Sequence, residues 1–275
     1  DNNLTTSNLT LNIDGLENLG TDYKYEGWII VNDLPVSTGI FSVDDSGTLS
    51  QTSFTVDGEK LEAATKFILS IEPINDTDTT PATTKVLGGD FSGNLALINT
   101  DNVIITEESP LNTLGASSGK YALATPTDGA NSNERSGIWF ILNSAASLIL
   151  PELSNGWKYE GWVVMNGIPV STGTFTDPAK ADDNAVTSIF KGDLGIGPAF
   201  PGEDFIQNAP NGLTFPTDLR NTKIVISVEP SPDNSIKPFI LKPLMHDVPA
   251  DAVDHEILTM ETGSVKEITG TVTRQ

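Results

Sequence analysis

"KYEGWIIVNDLPVSTGIF" (Lys24–Phe41) and "KYEGWVVMNGIPVSTGTF" (Lys158–Phe175) are one phrase written twice, 134 residues apart. Ile29, Ile30, Val31, Asp33, Leu34 and Ile40 become Val163, Val164, Met165, Gly167, Ile168 and Thr174. Nearly every exchange is apolar for apolar or turn for turn, which is how a buried hairpin varies. "YEGWIIV" is aromatic and β-branched, as a strand favours. Asn-Asp and Asn-Gly tolerate positive φ, so a tight turn joins it to "PVSTGIF". Side chains alternate along the strand, placing Tyr25, Gly27, Ile29 and Val31 on one face and Lys24, Glu26, Trp28 and Ile30 on the other. Both faces are apolar beyond Gly27, so the strand is expected to be central and covered on both sides. The missing side chain at Gly27 makes room for a neighbouring ring or backbone.

The register of the repeat extends outward from this phrase. "GLENLGTDYKYEGW" aligns with "ILPELSNGWKYEGW", and "TKFILSIEP" (Thr65–Pro73) with "TKIVISVEP" (Thr222–Pro230). "TPATTKVL" then matches "KPFILKPL", keeping Pro81 against Pro238 and Lys85 against Lys242. The offset grows to 157, so the second copy carries about 23 extra residues between Phe175 and Thr222. That stretch is dense in Gly, Pro, Asn and Asp and reads as a long inserted loop at about 178–221. The other strand candidates, among them "NVIIT", "KYALAT", "GIWFIL" and "EILTM", are short and bounded by turn residues. Helical periodicity is scarce; "GEKLEAATKF" holds one turn at most. The expectation is an all-β chain of two tandem immunoglobulin-like β-sandwich domains, 1–113 and 114–275. The boundary is placed in the Ser-, Pro- and Gly-rich "EESPLNTLGASSG" (Glu107–Gly119).

Of 275 residues, 37% are hydrophobic, enough for two cores. No apolar run approaches the roughly 20 residues of a membrane helix. With 15 basic and 37 acidic residues the net charge is −22, which repels nucleic acid and anionic membranes. The absence of cysteine excludes disulfides, thiol catalysis and cysteine metal sites. The chain opens at Asp1 on a polar "DNNLTTSN" that reads as a tether of a processed product, with a signal peptide or lipid anchor upstream.

Glu26 and Glu160, flanked by a lysine and a tryptophan on one strand face, need partners if half-buried. Lys66 and Lys223 in the other repeated strand are the expected ones, making these carboxylates structural rather than catalytic.

The order of these segments resembles the extracytoplasmic domain of anti-sigma-K factors. There an aromatic-x-x-Trp strand leads into a Pro-Val-Ser-x-Gly-x-Phe turn and strand, and a later Glu-Pro … Pro segment closes the domain. The first copy matches at Tyr25, Trp28, Pro35, Val36, Ser37, Gly39, Phe41, Glu72, Pro73 and Pro81. The second matches at Tyr159, Trp162, Pro169, Val170, Ser171, Gly173, Phe175, Glu229, Pro230 and Pro238. The resemblance covers roughly 60–70 residues of each copy. The sigma-binding helices and the transmembrane helix of that family have no counterpart in this sequence, so sigma-factor regulation is not carried over. What the resemblance implies is a β fold and an extracytoplasmic address, in the periplasm or at the cell surface.

Motifs that carry chemistry are few. "GASSG" (Gly115–Gly119) fits G-x-S-x-G, but its flanks are a linker and a strand where a nucleophile elbow needs a helix. "GASSGK" lacks the glycine spacing and the Ser or Thr of a phosphate loop. The two histidines sit in "HDVPADAVDHE" with Asp247, Asp251, Asp254 and Glu256; the gap between His246 and His255 fits no common zinc spacing. Calcium is raised by "NDTDTT" (Asn75–Thr80) and "DDSG" (Asp44–Gly47), which turn chemistry also explains; otherwise no cofactor is expected. Arg135 and Trp139, in "ATPTDGANSNERSGIWF", suggest either a sugar or anion site or a surface arginine beside a core tryptophan.

The sequence therefore reads as a non-catalytic exported bacterial envelope protein, a binding or sensing module for a protein or glycan. One alternative is a carbohydrate-binding or adhesin-like module using Phe190, Phe200, Phe205 and Phe215 of the insertion. Another is a glycan-active enzyme pairing Glu160 with Glu203 or Asp204, which needs two carboxyls about 5–10 Å apart.

Overall fold

The computed structural model describes residues 5–103, 111–129, 131–232, 235–265 and 268–275. The protein is all-β, and every strand pairing among the described residues is antiparallel. The first unit opens with β1 (Thr6–Asp14), β2 (Tyr23–Val31), β3 (Leu34–Phe41), β4 (Ser53–Asp57), β5 (Lys66–Pro73), β6 (Lys85–Ser92) and β7 (Leu95–Asn99). A short helix α1 (Gly58–Ala63) follows β4. Asp57 caps it by accepting the Lys60 N–H at 3.1 Å, and Leu61 is its buried residue.

The second unit comprises β8 (Ser118–Leu123), β9 (Gly137–Trp139), β10 (Ile141–Leu142), β11 (Ala145–Ala146), β12 (Leu148–Ile149), β13 (Trp157–Met165), β14 (Ile168–Phe175), β15 (Gly202–Asp204), β16 (Lys223–Pro230), β17 (Leu244–Asp247), β18 (Leu258–Thr259) and β19 (Glu261–Thr262). Its main sheet runs β14-β13-β16-β17-β19, and a second runs β12-β8-β9-β15 with β18 also on β8. The hairpin β10–β11 stands apart.

The repeated phrase forms the same hairpin twice. In β2–β3, Tyr25 pairs Phe41 and Gly27 pairs Gly39, then the register slips so that Trp28 meets Ser37. In β13–β14, Tyr159 pairs Phe175, Gly161 pairs Gly173, and Trp162 meets Ser171 after the same bulge. The turns use positive φ at Asn32 and Asp33, and at Asn166 and Gly167. Each strand is central, with β5 or β16 on its other side. Inside, Tyr25 stacks on Phe41 at 5.5 Å and Tyr159 on Phe175 at 5.7 Å. Their hydroxyls donate to the carbonyls of Glu17 (3.0 Å) and Pro151 (2.7 Å), as a buried phenol must find an acceptor. The space left by Gly27 is taken by the Thr38 hydroxyl and the Phe67 ring.

The C-terminal strand β20 (Thr269–Arg274) departs from the expected division of the chain. It pairs with β1 over six positions and with β7 over five, completing an eight-stranded sheet ordered β3-β2-β5-β6-β7-β20-β1-β4. The second unit is therefore nested between β7 and β20, and the span 114–275 does not all belong to it. Arg274 fixes this strand. Its guanidinium donates to the carbonyls of Leu61, Glu62 and Ala64 at the end of α1, donates to Gly93, and lies 4.6 Å from the Phe91 ring. The sheet curls until its edges meet, with Phe54 of β4 lying over Gly39 of β3. Residues 104–110, which hold the start of the expected boundary segment and most of "NVIIT", lie outside the described residues. The units touch where the Thr84 hydroxyl donates to the Gly156 carbonyl at 3.0 Å.

Candidate functional site

The tryptophan and the carboxylate of the repeated phrase are hydrogen-bonded within the fold, while the Thr38 and Thr172 hydroxyls are buried without a hydrogen bond. Trp28 donates its indole N–H to Ser70 at 2.8 Å; Ser70 donates to Glu72, which also accepts the Ala82 N–H at 2.7 Å. The second copy repeats the relay from Trp162 to Ser227 (2.8 Å), from Ser227 to Glu229, and from the Phe239 N–H to Glu229 (2.8 Å). Burial pushes the Glu72 carboxyl up, and the Ser70 and Ala82 donors pull it back. Glu26 and Glu160 are nearly buried and accept from Ser37 and Ser171. The expected lysine partners are a correction: Lys66 pairs with Asp90 and Lys223 with Asp247, at the outer ends of β5–β6 and β16–β17. A serine one hairpin register away reaches the buried carboxylate, whereas a half-exposed lysine keeps its ammonium at the rim.

The second unit adds what the first lacks. Two segments without a counterpart in the first copy, the β8–β9 loop and the insertion, are bound to each other. Asp204 of β15, with no exposure, accepts the Thr127 N–H (2.7 Å), the Thr127 hydroxyl (2.5 Å) and the Trp139 indole N–H (2.7 Å). Ser136 donates to the Phe205 carbonyl and accepts the Thr217 N–H, both at 2.7 Å. Phe190, Phe205 and Phe215 meet ring to ring at 5.4–6.1 Å, and Phe205 is fully buried. These phenylalanines are the insertion's own core and not a binding platform; Phe200 is partly buried. The 178–221 segment is an ordered subdomain because an apolar cluster and a buried carboxylate anchor it.

Where that subdomain meets the β8–β9 loop and the β17–β18 connection, an open cleft of about 460 Å3 is lined by Asn131, Asn133, Glu134, Arg135, Pro216, Asp218 and Asp254. A neighbouring hollow of about 490 Å3 shares Asn131 and Glu134 and reaches Leu194 and His255. Arg135 Nε lies 3.4 Å from Asp254 Oδ1, in ion-pair range but without a hydrogen bond. Arg220 clamps Asp218 through Nε (3.0 and 2.9 Å) and Nη2 (2.5 Å). Glu134 accepts the Thr125 N–H at 3.1 Å and lies 3.5 Å from His255 Nε2; His255 Nδ1 lies 3.4 Å from Asp254. His255 holds a left-handed backbone, φ 63°, with its N–H on the Leu123 carbonyl at 2.9 Å. Arg220 holds Asp218 below the usual carboxylate range, and Asp254 is lowered by its own backbone amide, His255 and Arg135.

Arg135 was legible in the sequence, and Asp254 and His255 only as members of a metal cluster. That cluster does not form. His246 bonds the Tyr121 hydroxyl through Nδ1 at 2.8 Å, while His255 serves the cleft. Among the described residues no three His, Cys, Asp or Glu come together as a metal site. The acidic turns are spent on themselves, Asp44 on Ser46 and Thr48, Asp78 on Thr80. Trp139 is core, 4% exposed. Ser117 is followed by strand β8, so the elbow geometry is missing. Glu134 adjoins Arg135 in the chain but carries no motif of its own, and only the fold brings Asp218 to them.

In comparisons with known proteins, the chain matches no family model, no curated protein and no solved structure. Among the described residues no helix is long and apolar enough to cross a membrane.

Proposed function

We propose that this chain is a non-catalytic binding or sensing module of a bacterial envelope, of the anti-sigma-factor-like extracytoplasmic type, and that it takes its ligand in the cleft of the second unit. One observation carries the reading. The cleft's charged groups are held by one another (Arg135 by Asp254, Asp218 by Arg220, Glu134 beside His255) while the cavity they line stays open. Such a surface offers a preset pattern of donors and acceptors to a polar ligand. Asp218 and Asp254 are held below the usual carboxylate range, the opposite of the upward shift a general acid requires.

The carbohydrate-binding reading moves from the insertion's phenylalanines to this cleft, where Asn131, Asn133, Asp218 and Asp254 provide the planar amides and carboxylates that grip hydroxyls. Against the glycan-active alternative, both candidate partners of Glu160 are buried and bonded, Glu203 by Ser188 and the Asp204 N–H, and Asp204 by Thr127 and Trp139.

The test is calorimetric titration of the purified chain with envelope glycan fragments and envelope-derived peptides, repeated on Arg135→Ala and Asp218→Asn. Binding that weakens at least tenfold in both variants supports the reading. Unchanged binding, or turnover of any glycan, refutes it.

A further inference from the structure

Gly39 and Gly173 hold the same place in the two hairpins, each with positive φ, 134° and 124°. The two copies cover them differently. Over Gly39 lies the Phe54 ring, which a Cβ would approach to 2.6 Å. Over Gly173 lie Asp182 and Asn184: a Cβ would collide with Asn184 Oδ1 and stand 2.7 and 2.9 Å from Asp182 Cβ and Cγ. The first copy thus serves as an internal control, showing that the slot takes an apolar ring. The second copy fills it with an amide oxygen and the side chain of an aspartate.

Asp182 is 6% exposed. Its Oδ2 accepts the Gly202 N–H at 2.8 Å. Its Oδ1 is buried with no partner, and so is Asn184 Oδ1 beside it. Neighbouring buried acceptors without a donor are rare in folded proteins, because each forfeits its solvation. Glu203 and Asp183 both oppose ionisation of Asp182. The lysines nearby are engaged elsewhere, Lys158 by Asp183 at 2.7 Å and Lys191 by the Gly195 carbonyl at 3.0 Å. The other two buried carboxylates of the insertion, Glu203 and Asp204, already have their donors.

We propose that Asp182 Oδ1 and Asn184 Oδ1 are ligands of a hard-cation site of the calcium class, set over Gly173 in the second unit. The free atoms are oxygen only, one anionic and one neutral amide, which suits calcium and not zinc. Calcium also accepts main-chain carbonyls and water at its remaining positions. Without the ion, burial pushes the Asp182 carboxyl up to about 8, so a proton competes for the same oxygen. The site is independent of the ligand assigned to the cleft.

The experiment uses the whole chain. Thermal unfolding is followed in EGTA and then in CaCl2, MgCl2 or NaCl at matched ionic strength. In parallel, terbium luminescence is excited through tryptophan, since the Trp139 ring lies against Gly202, whose N–H holds Asp182. Calcium at a hundredfold excess over Kd is expected to raise Tm by roughly 5–10 °C, and terbium emission to appear and be displaced by calcium. Asp182→Asn and Asn184→Ala each abolish both responses. Asp182→Asn puts a neutral amide where the ion-free carboxyl already holds a proton and so folds in EGTA, while Asp78→Asn, in an exposed turn, leaves both responses intact. Absence of both signals in the unaltered chain, or equal signals in Asp182→Asn, overturns the site. Stability that falls with rising pH in EGTA and is not restored by any cation also overturns it, assigning Oδ1 to a proton shared with Asn184.

Discussion

If β20 completes the first sheet, residues 1–113 should not fold alone. Ending the chain at Val265 removes Ile268 and Val272, both essentially unexposed, and the Arg274 guanidinium. The two apolar side chains contribute about 4 kcal/mol together. The charge-assisted bonds of Arg274 contribute about 2–3 kcal/mol, reduced by its partial exposure. The ladder bonds to β1 and β7 are roughly offset by the chain entropy that truncation releases. The loss is therefore about 6 kcal/mol, comparable to the whole stability of a modest domain at about 5–15 kcal/mol. Circular dichroism and limited proteolysis of 1–113 and of 1–265 measure it, and a synthetic 268–275 peptide added in trans should partly restore protection of β1 and β7. A 1–113 fragment that unfolds cooperatively at the midpoint of the full chain would refute the nested topology.

Ser70→Ala and Ser227→Ala each strand an indole N–H and leave a buried carboxylate short of a donor. Each should lower stability by about 2–4 kcal/mol in urea unfolding; a change under 0.5 kcal/mol would show the relay to be incidental. Lys66→Met and Lys223→Met break only exposed pairs and should cost less than about 1 kcal/mol; a loss of several would return these lysines to Glu26 and Glu160. In EGTA, stability should fall as pH rises from about 5 to 8. The folded state keeps a proton on Glu203 up to about pH 7 and on Asp182 up to about pH 8, which the unfolded chain releases near 4.5 and 3.8, so raising pH favours unfolding by at most about 1.4 kcal/mol per unit for each group below its own folded pKa. Asp182→Asn should flatten the upper part of that slope; urea midpoints at stepped pH that rise instead of falling would contradict it. Gly173→Ala should destabilise by more than 1 kcal/mol, because positive φ and the Asn184 contact both oppose a Cβ.

The hairpin was readable because its information is local. Asn-Asp and Asn-Gly demand positive φ, Gly27 and Gly161 mark close approach, and the alternation from Tyr25 to Ile29 names the inner face. The partners of the polar residues were not readable. Trp28 lies 42 positions from Ser70, and only the antiparallel register of β2 on β5 puts a serine under the indole. The same limit hid the insertion's order: Phe190, Phe205 and Phe215 look like exposed aromatics in a polar stretch until Asp204, Thr127 and Trp139 fold them inward.

By itself the sequence determined an all-β chain, two copies of one hairpin, a strongly acidic surface and the absence of thiol chemistry. These follow from side-chain period, turn residues and composition, which need no knowledge of distant neighbours. Tertiary structure alone decided that the last strand belongs to the first sheet, that the lysines answer Asp90 and Asp247, and that Glu134, Arg135, Asp218 and Asp254 share one cleft. The physical reason is that "TGTVTR" carries β propensity but no address: a strand's partner is chosen by which open edges the rest of the chain leaves, and β1 and β7 leave theirs to the C-terminus.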